Sequence, residues 1–98
     1  MITLNEPVEF IWDKGNVDKN WLKHKITNRE SEEVFFDRKK RIAEDKFHSD
    51  KEERYIVLGK TKGKRLLFIV FTLRDKKVRI ISARDTNKKE RILYEKTA

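Results

Sequence analysis

At 98 residues, 37% of them hydrophobic and 43% charged, the chain is sized for a single domain, residues 1–98, around one modest core, and its six Phe and two Trp argue against disorder. It has no cysteine, which excludes disulfides, thiolate metal sites and a thiol nucleophile, and no apolar run approaches the ~18 residues of a membrane span. The formal net charge of +8 is uneven, −2 over residues 1–53 and +10 over residues 54–98, and a single-sign excess of that kind either serves solubility or attracts polyanions, nucleic acid foremost.

In chain order, Val8-Glu9-Phe10-Ile11-Trp12 alternates as a short first strand, and Asp13 is placed to cap the helix after it. Val17, Trp21 and His24, with Asn20 alongside, have the spacing of one helix face and predict a helix of about three turns. Lys23, His24 and Lys25 fall at its C-terminal end, where cations suit the helix dipole. Thr27-Asn28-Arg29-Glu30 is a capping box, and Ser31, Val34 and Phe35 give the second helix its buried stripe. Lys40 to Ala43 fits a sheet edge, where lysines discourage aggregation, and Glu44 to Glu53 reads as a surface loop.

Arg54 to Leu58 is a strand closed by Gly59, and Thr61 to Lys64 turn it back. Leu66 to Phe71 and Val78 to Arg84, linked through Arg74-Asp75-Lys76-Lys77, form a hairpin at the centre of the sheet. Strict alternation puts Val78, Ile80, Ser82 and Arg84 on one face and Arg79, Ile81 and Ala83 on the other, without saying which face meets the helices. Asn87 and Glu90 then cap a C-terminal helix. The expected fold class is α+β: an antiparallel sheet of about four strands with two N-terminal helices and a C-terminal helix.

Chemistry is constrained by what the chain lacks. His24 and His48 are the only histidines and have no carboxylates at ligand spacing, and Gly15, Gly59 and Gly63 are isolated, so neither a metal nor a nucleotide cofactor is expected. The remaining candidate is metal-free chemistry on a phosphodiester; cleaving RNA this way uses its own 2′-hydroxyl as nucleophile and needs a base, cations for the phosphate charge and an acid for the leaving oxygen. The types that supply these cluster at Lys23-His24, Asp45, His48, Glu52-Glu53-Arg54, Arg84, Glu90-Arg91 and Tyr94. His24 also reads as a helix-end or Trp21-packing residue, His48 as a loop histidine in water, Glu90 as a capping-box residue and Tyr94 as a packing residue. Arg54 and Arg84 flank apolar strands, where a charge costs free energy unless it is paired or meets an anion.

Phe10-Ile11-Trp12-Asp13, Asn20, Lys23-His24, Val34-Phe35, Asp45, His48-Ser49, Glu52-Glu53-Arg54, Gly59, Gly63 to Leu67, Arg79 to Arg84, Glu90-Arg91 and Tyr94 form an ordered set over residues 8–95. In that set the chain resembles the BrnT toxins of type II toxin–antitoxin systems, small ribonucleases similar in fold to the RelE superfamily. It departs from them at Asn16, where many members have lysine, and at Lys25, where glycine usually follows the Lys-His pair. The resemblance implies a cytoplasmic endoribonuclease toxin that cleaves RNA, mRNA free or on the ribosome, and so blocks translation. It further implies a BrnA-type antitoxin that neutralises the toxin and alone contacts operator DNA. The catalytic candidates are His24, His48, Glu53, Arg54, Arg84 and Tyr94, and the RNA-binding candidates Lys23, Arg65, Arg79, Lys88, Lys89 and Arg91. The uneven charge further predicts that Lys88, Lys89 and Arg91 matter more to RNA than Arg38, Lys39 and Lys40. A non-catalytic nucleic-acid-binding module and an interaction protein with an acidic partner are the competing classes.

Overall fold

In chain order the residues form β1 (Phe10–Ile11), α1 (Lys19–His24), α2 (Asn28–Val34), β2 (Arg41–Glu44), β3 (Arg54–Lys60), β4 (Leu66–Arg74), β5 (Lys77–Asp85) and α3 (Lys88–Glu95). The computed structural model describes Leu4, residues 6–47 and residues 51–96. Among these, five strands make one mixed sheet in the order β1-β5-β4-β3-β2. The expectation of about four antiparallel strands is corrected by β1, which adds a fifth and runs parallel to β5, Phe10 opposite Val78 and Ile11 opposite Arg79. Such pairing joins segments far apart in the chain, so no local turn signal reports its direction. The α+β class, the edge position of β2 and the central place of the β4–β5 hairpin agree with the sequence reading.

Register sorts the side chains. Val57, Leu67, Ile69, Phe71, Val78, Ile80 and Ala83 lie on one face and are sealed by Ile26, Val34 and Phe35. Phe35 stands edge-to-face on Phe71 at 5.0 Å and on Phe10 at 5.3 Å, a preferred geometry for aromatic pairs. Capping boxes hold α2 (Thr27 with Glu30) and α3 (Asn87 with Glu90), as their sequences require. Gly59 sits inside β3 rather than closing it, because α2 presses closest there: a Cβ on Gly59 would meet Val34 Cγ1 at 2.7 Å and the Val34 carbonyl oxygen at 3.0 Å.

Three local expectations fail for physical reasons. α1 is a six-residue helix because Asp18 takes a left-handed conformation (φ 56°) just before it. The inward side chains here are Asn16, in the turn before α1, and Asn20 on α1, while Val17 and Trp21 are 39% and 45% exposed. The amide of Asn16 donates to the carbonyls of Ile11 and Ile80 and accepts from the Asp13 N–H, so a buried polar side chain ties β1 to β5. Asn20 likewise accepts from the Ala83 N–H at 2.9 Å.

The hairpin link is the two-residue turn Asp75-Lys76, both at positive φ, whose twist suits the strands. Finally, the β4–β5 register slips between Val70, opposite Ser82, and Phe71, opposite Ile80, so Ile81 is an extra residue. Beyond this bulge alternation inverts. Ala83 joins Val78 and Ile80 on the helix-covered face, and Ser82 and Arg84 join Arg79 on the other.

That second face carries Arg54, Ile56 and Leu58 of β3, Leu66, Phe68, Val70 and Thr72 of β4, and Arg79, Ser82 and Arg84 of β5. α3 covers only one end of it, through Tyr94 on Leu58, Leu66 and Phe68. Of the remainder, Thr72 is buried and the other side chains are half-exposed.

Candidate active site

Strand pairing sets the arginines of this open face in two rows. Arg54 and Arg79 both pair with Thr72, from opposite sides, so at a strand spacing of ~4.8 Å their Cα atoms stand about 10 Å apart. Arg84 pairs with Phe68, four residues further along β4, which is about 13 Å away at ~3.3 Å per residue. Of the sequence candidates, register therefore brings Arg54 together with Arg79 and separates both from Arg84.

In the first row Arg79 donates through Nε and Nη2 to Asp13 at 3.2 and 2.9 Å, which holds that carboxyl below its usual range. Gly15 makes room for the pair, since a Cβ there would lie 2.7 Å from Arg79 Nη2. Thr72 Oγ1 donates to the Glu53 carbonyl at 2.8 Å and ties the start of β3 to β4. Glu53 is exposed, and its carboxylate accepts from the Tyr55 hydroxyl at 2.7 Å. Next to it Glu52 pairs with Arg74 at 3.0 Å. Arg54 is half-buried. The segment between β2 and β3 enters at this end: Asp45 is buried with its N–H on the Arg54 carbonyl, and Phe47 is exposed. His48, in the same segment, lies outside the described residues.

The second row is bound up in α3. Arg84 makes a two-pronged pair with Glu90, 2.8 Å on each prong, and lies 4.0 Å above the Phe68 ring. Hydrogen bonding from Arg84 lowers the Glu90 pKa, so Glu90 is a charged anchor as well as a capping residue. On the far side of β5, Arg65 donates to both oxygens of Asp85 (2.8 and 3.0 Å) and to the carbonyls of His24 and Lys25, clasping the end of α1 to the sheet. His24 and Lys23 are exposed there. Lys88, Lys89 and Arg91 are exposed on α3 and form no ion pair among the described residues.

Tyr94 is buried, and its hydroxyl donates to Asp37 at 2.5 Å. Burial and that carboxylate push its pKa up to about 12. Burial alone would raise Asp37, but the Tyr94 hydroxyl and the N–H groups of Lys60 and Lys39 outweigh it and lower its pKa. Among the described residues no three His, Asp or Glu side chains converge as a metal site.

Sequence reasoning read Asp13 as a helix cap, whereas Asp18 is the residue that precedes α1 and Asp13 binds Arg79; it passed over Thr72, which with Asp13 frames the Arg54–Arg79 row, and Asp37, the anchor of Tyr94. The Asp13-Lys14-Gly15 spacing is a local turn signal that pointed to Asp13; nothing local marks Thr72, whose place comes from register.

The fold is thus a basic α+β domain whose sheet is sealed on one face and, on the other, opens toward solvent between arginines. The family is specific: residues 12–90 match the family model described as the ribonuclease toxin, BrnT, of type II toxin–antitoxin systems, and the chain belongs to that family. No curated protein matches the chain. Family membership brings with it RNA as substrate and an antitoxin as partner. The matched span includes Asp13, Arg54, Thr72, Arg79, Arg84 and Glu90, and ends before Arg91 and Tyr94. No helix among the described residues is long and apolar enough to cross a membrane.

Proposed function

We propose that the chain is a single-domain, RelE-like endoribonuclease that works without metal in the cytoplasm, cuts mRNA, free or on the ribosome, and so inhibits translation until a BrnA-type antitoxin covers its basic face. The observation that carries this is the Arg54–Thr72–Arg79 row on the open face of a sheet belonging to the ribonuclease toxin family. Two guanidiniums flanking one site suit a phosphodiester that gains charge at its transition state. Asp13 occupies part of Arg79 and orients it, leaving other N–H groups of the guanidinium for a phosphate.

In this scheme a base removes the 2′-hydroxyl proton and the freed oxygen attacks phosphorus. The bond to the 5′-oxygen breaks as an acid protonates it, which leaves a 2′,3′-cyclic phosphate and a 5′-hydroxyl. His48, which precedes Arg54 in the sequence, serves as the proton carrier, with Glu53 as the second acid–base group, because imidazole is the side-chain type best suited to exchange protons near neutral pH. Arg84, His24, Lys23, Arg65, Lys88, Lys89 and Arg91 grip the RNA toward α3. Tyr94, neutral with a pKa of about 12, keeps α3 on the sheet.

The test is the product and its requirements. Cleavage should survive EDTA, yield the cyclic phosphate, and fail on RNA carrying 2′-deoxyribose at the cut. Rates abolished by EDTA and restored by magnesium contradict the scheme, and binding without cleavage would leave a nucleic-acid-binding module.

A further inference from the structure

The opposite end of β3 from Arg54 opens on a separate cleft of about 510 Å³ between the end of α2, the β3–β4 turn and α3. Phe36, Arg38, Lys39, Lys60, Lys62 and Lys64 line it. None of these five cations forms an ion pair among the described residues. Of the three carboxylates in the lining, Asp37 is held by the Tyr94 hydroxyl and the N–H groups of Lys39 and Lys60, and Glu33 by the Lys62 N–H and Arg29. The lining thus carries five cations against three carboxylates, Glu33, Asp37 and Glu95, a net excess of two positive charges, although Arg38 and Lys39 come from the half of the sequence whose net charge is −2. Phe36, beside them, leaves 62% of its surface in solvent and touches Phe10 edge-on, with ring centroids 6.4 Å apart. An accessible ring among unpaired cations is the arrangement by which proteins hold single-stranded nucleic acid: the ring stacks a base while the cations follow the phosphates.

We propose that this cleft is a second RNA-binding site, in which Phe36 stacks an unpaired base and Arg38, Lys39, Lys62 and Lys64 contact the flanking phosphates. It rests on RNA being the substrate, but not on where or how the RNA is cut. It supplies affinity rather than chemistry, lying at the other end of the sheet from the Arg54–Arg79 row. The surface also has the charge to take an acidic protein segment, and the exposed ring is what favours RNA.

The experiment titrates a fluorescein-labelled, uncleavable 2′-O-methyl oligonucleotide of about 12 nucleotides with the full chain. Reversing Arg38, Lys39 and Lys62 together to Glu should lower affinity at least about tenfold and make the plot of log affinity against log salt shallower by about 2, at ~0.7 per lost phosphate contact. Phe36→Ala should lose about tenfold and Phe36→Trp should recover it, with the new indole quenched by RNA. All variants should keep the wild-type cleavage rate at saturating protein, which separates this site from the catalytic row. Wild-type protein that binds RNA through the cleft yet cuts nothing would support the cleft while removing the nuclease reading. Unchanged affinity and salt slope in the triple variant would overturn the proposal. So would an equal loss on reversing Lys14, Lys76 and Lys96, which would reduce the effect to net charge. A triple variant that binds RNA normally but no longer binds the antitoxin would assign the cleft to an acidic protein segment and overturn it as well.

Discussion

On the face beneath α1 and α2, Val57, Ile69, Phe71, Ile80 and Ala83 are closed off by Val34 and Phe35, while on the face beneath α3 full burial of apolar side chains stops at Leu58 and Leu66. Beyond that point Ile56, Val70 and Ser82 stay half-exposed between Arg54, Arg79 and Arg84. The same strands supply both faces. A guanidinium survives on a strand only where a carboxylate or water reaches it, so the charges mark the face that α3 leaves open. If the two faces divide stability from activity in this way, substitutions should divide likewise.

The largest stability loss is expected at the closest approach on the sealed face. Gly59→Ala drives a methyl into Val34 and its carbonyl, and overpacking of this kind costs about 1–3 kcal/mol. Urea denaturation should show it, with the cleavage rate of the remaining folded protein unchanged. Asn16→Ala should cost about 2 kcal/mol by leaving the buried Ile80 carbonyl without its donor, and it should loosen β1 from β5. A loss under about 0.5 kcal/mol would show that the Asn16 amide is not what joins those strands.

Acidification should act on the open face and its rim. Glu90 and Asp85 have pKa values held below their ordinary 4.5 and 3.8 by hydrogen bonds from Arg84 and Arg65, respectively. Their contribution is complete above those ordinary values and is lost as pH falls through the depressed ones. The melting temperature should therefore fall as pH drops below about 4.5, and Glu90→Gln should flatten part of that dependence. The smallest effect lies away from both faces. Lys76 holds φ at 66° in the hairpin turn, and Lys76→Gly should gain about 0.5–1 kcal/mol without touching cleavage.

What could be read from the sequence was local. The capping boxes at Thr27-Glu30 and Asn87-Glu90, the buried stripe of α2 and the central hairpin each depend on residues within one or two turns of one another. The site was only half legible. Arg54 and Arg84 were recognised as costly charges on strands and Arg79 as an RNA-binding candidate, but their grouping depends on the Ile81 bulge, which no local pattern announces and which inverts the last part of β5. Asn20 looked incidental to a helix face, and Asn16 stood out only as a departure from the family's lysine, because period alone does not reveal that a polar side chain is pinning a strand carbonyl or N–H. The division of charge along the chain does not carry over to space: Arg38 and Lys39 stand beside Lys60, Lys62 and Lys64 around one cleft, so sequence halves are not surface halves.

The central claim, that the open face cuts RNA at the Arg54–Arg79 row, is tested most directly by single-turnover cleavage at saturating protein. The proteins compared are Arg54→Ala, Arg79→Ala, Arg84→Ala and His24→Ala, each checked for folding by circular dichroism. The account predicts that the first two lose about 10²-fold or more in rate, while Arg84→Ala and His24→Ala mainly weaken binding. Wild-type rates for Arg54→Ala and Arg79→Ala, with the loss falling instead on Arg84→Ala and His24→Ala, would contradict it and move the chemistry to the α3 end of the sheet.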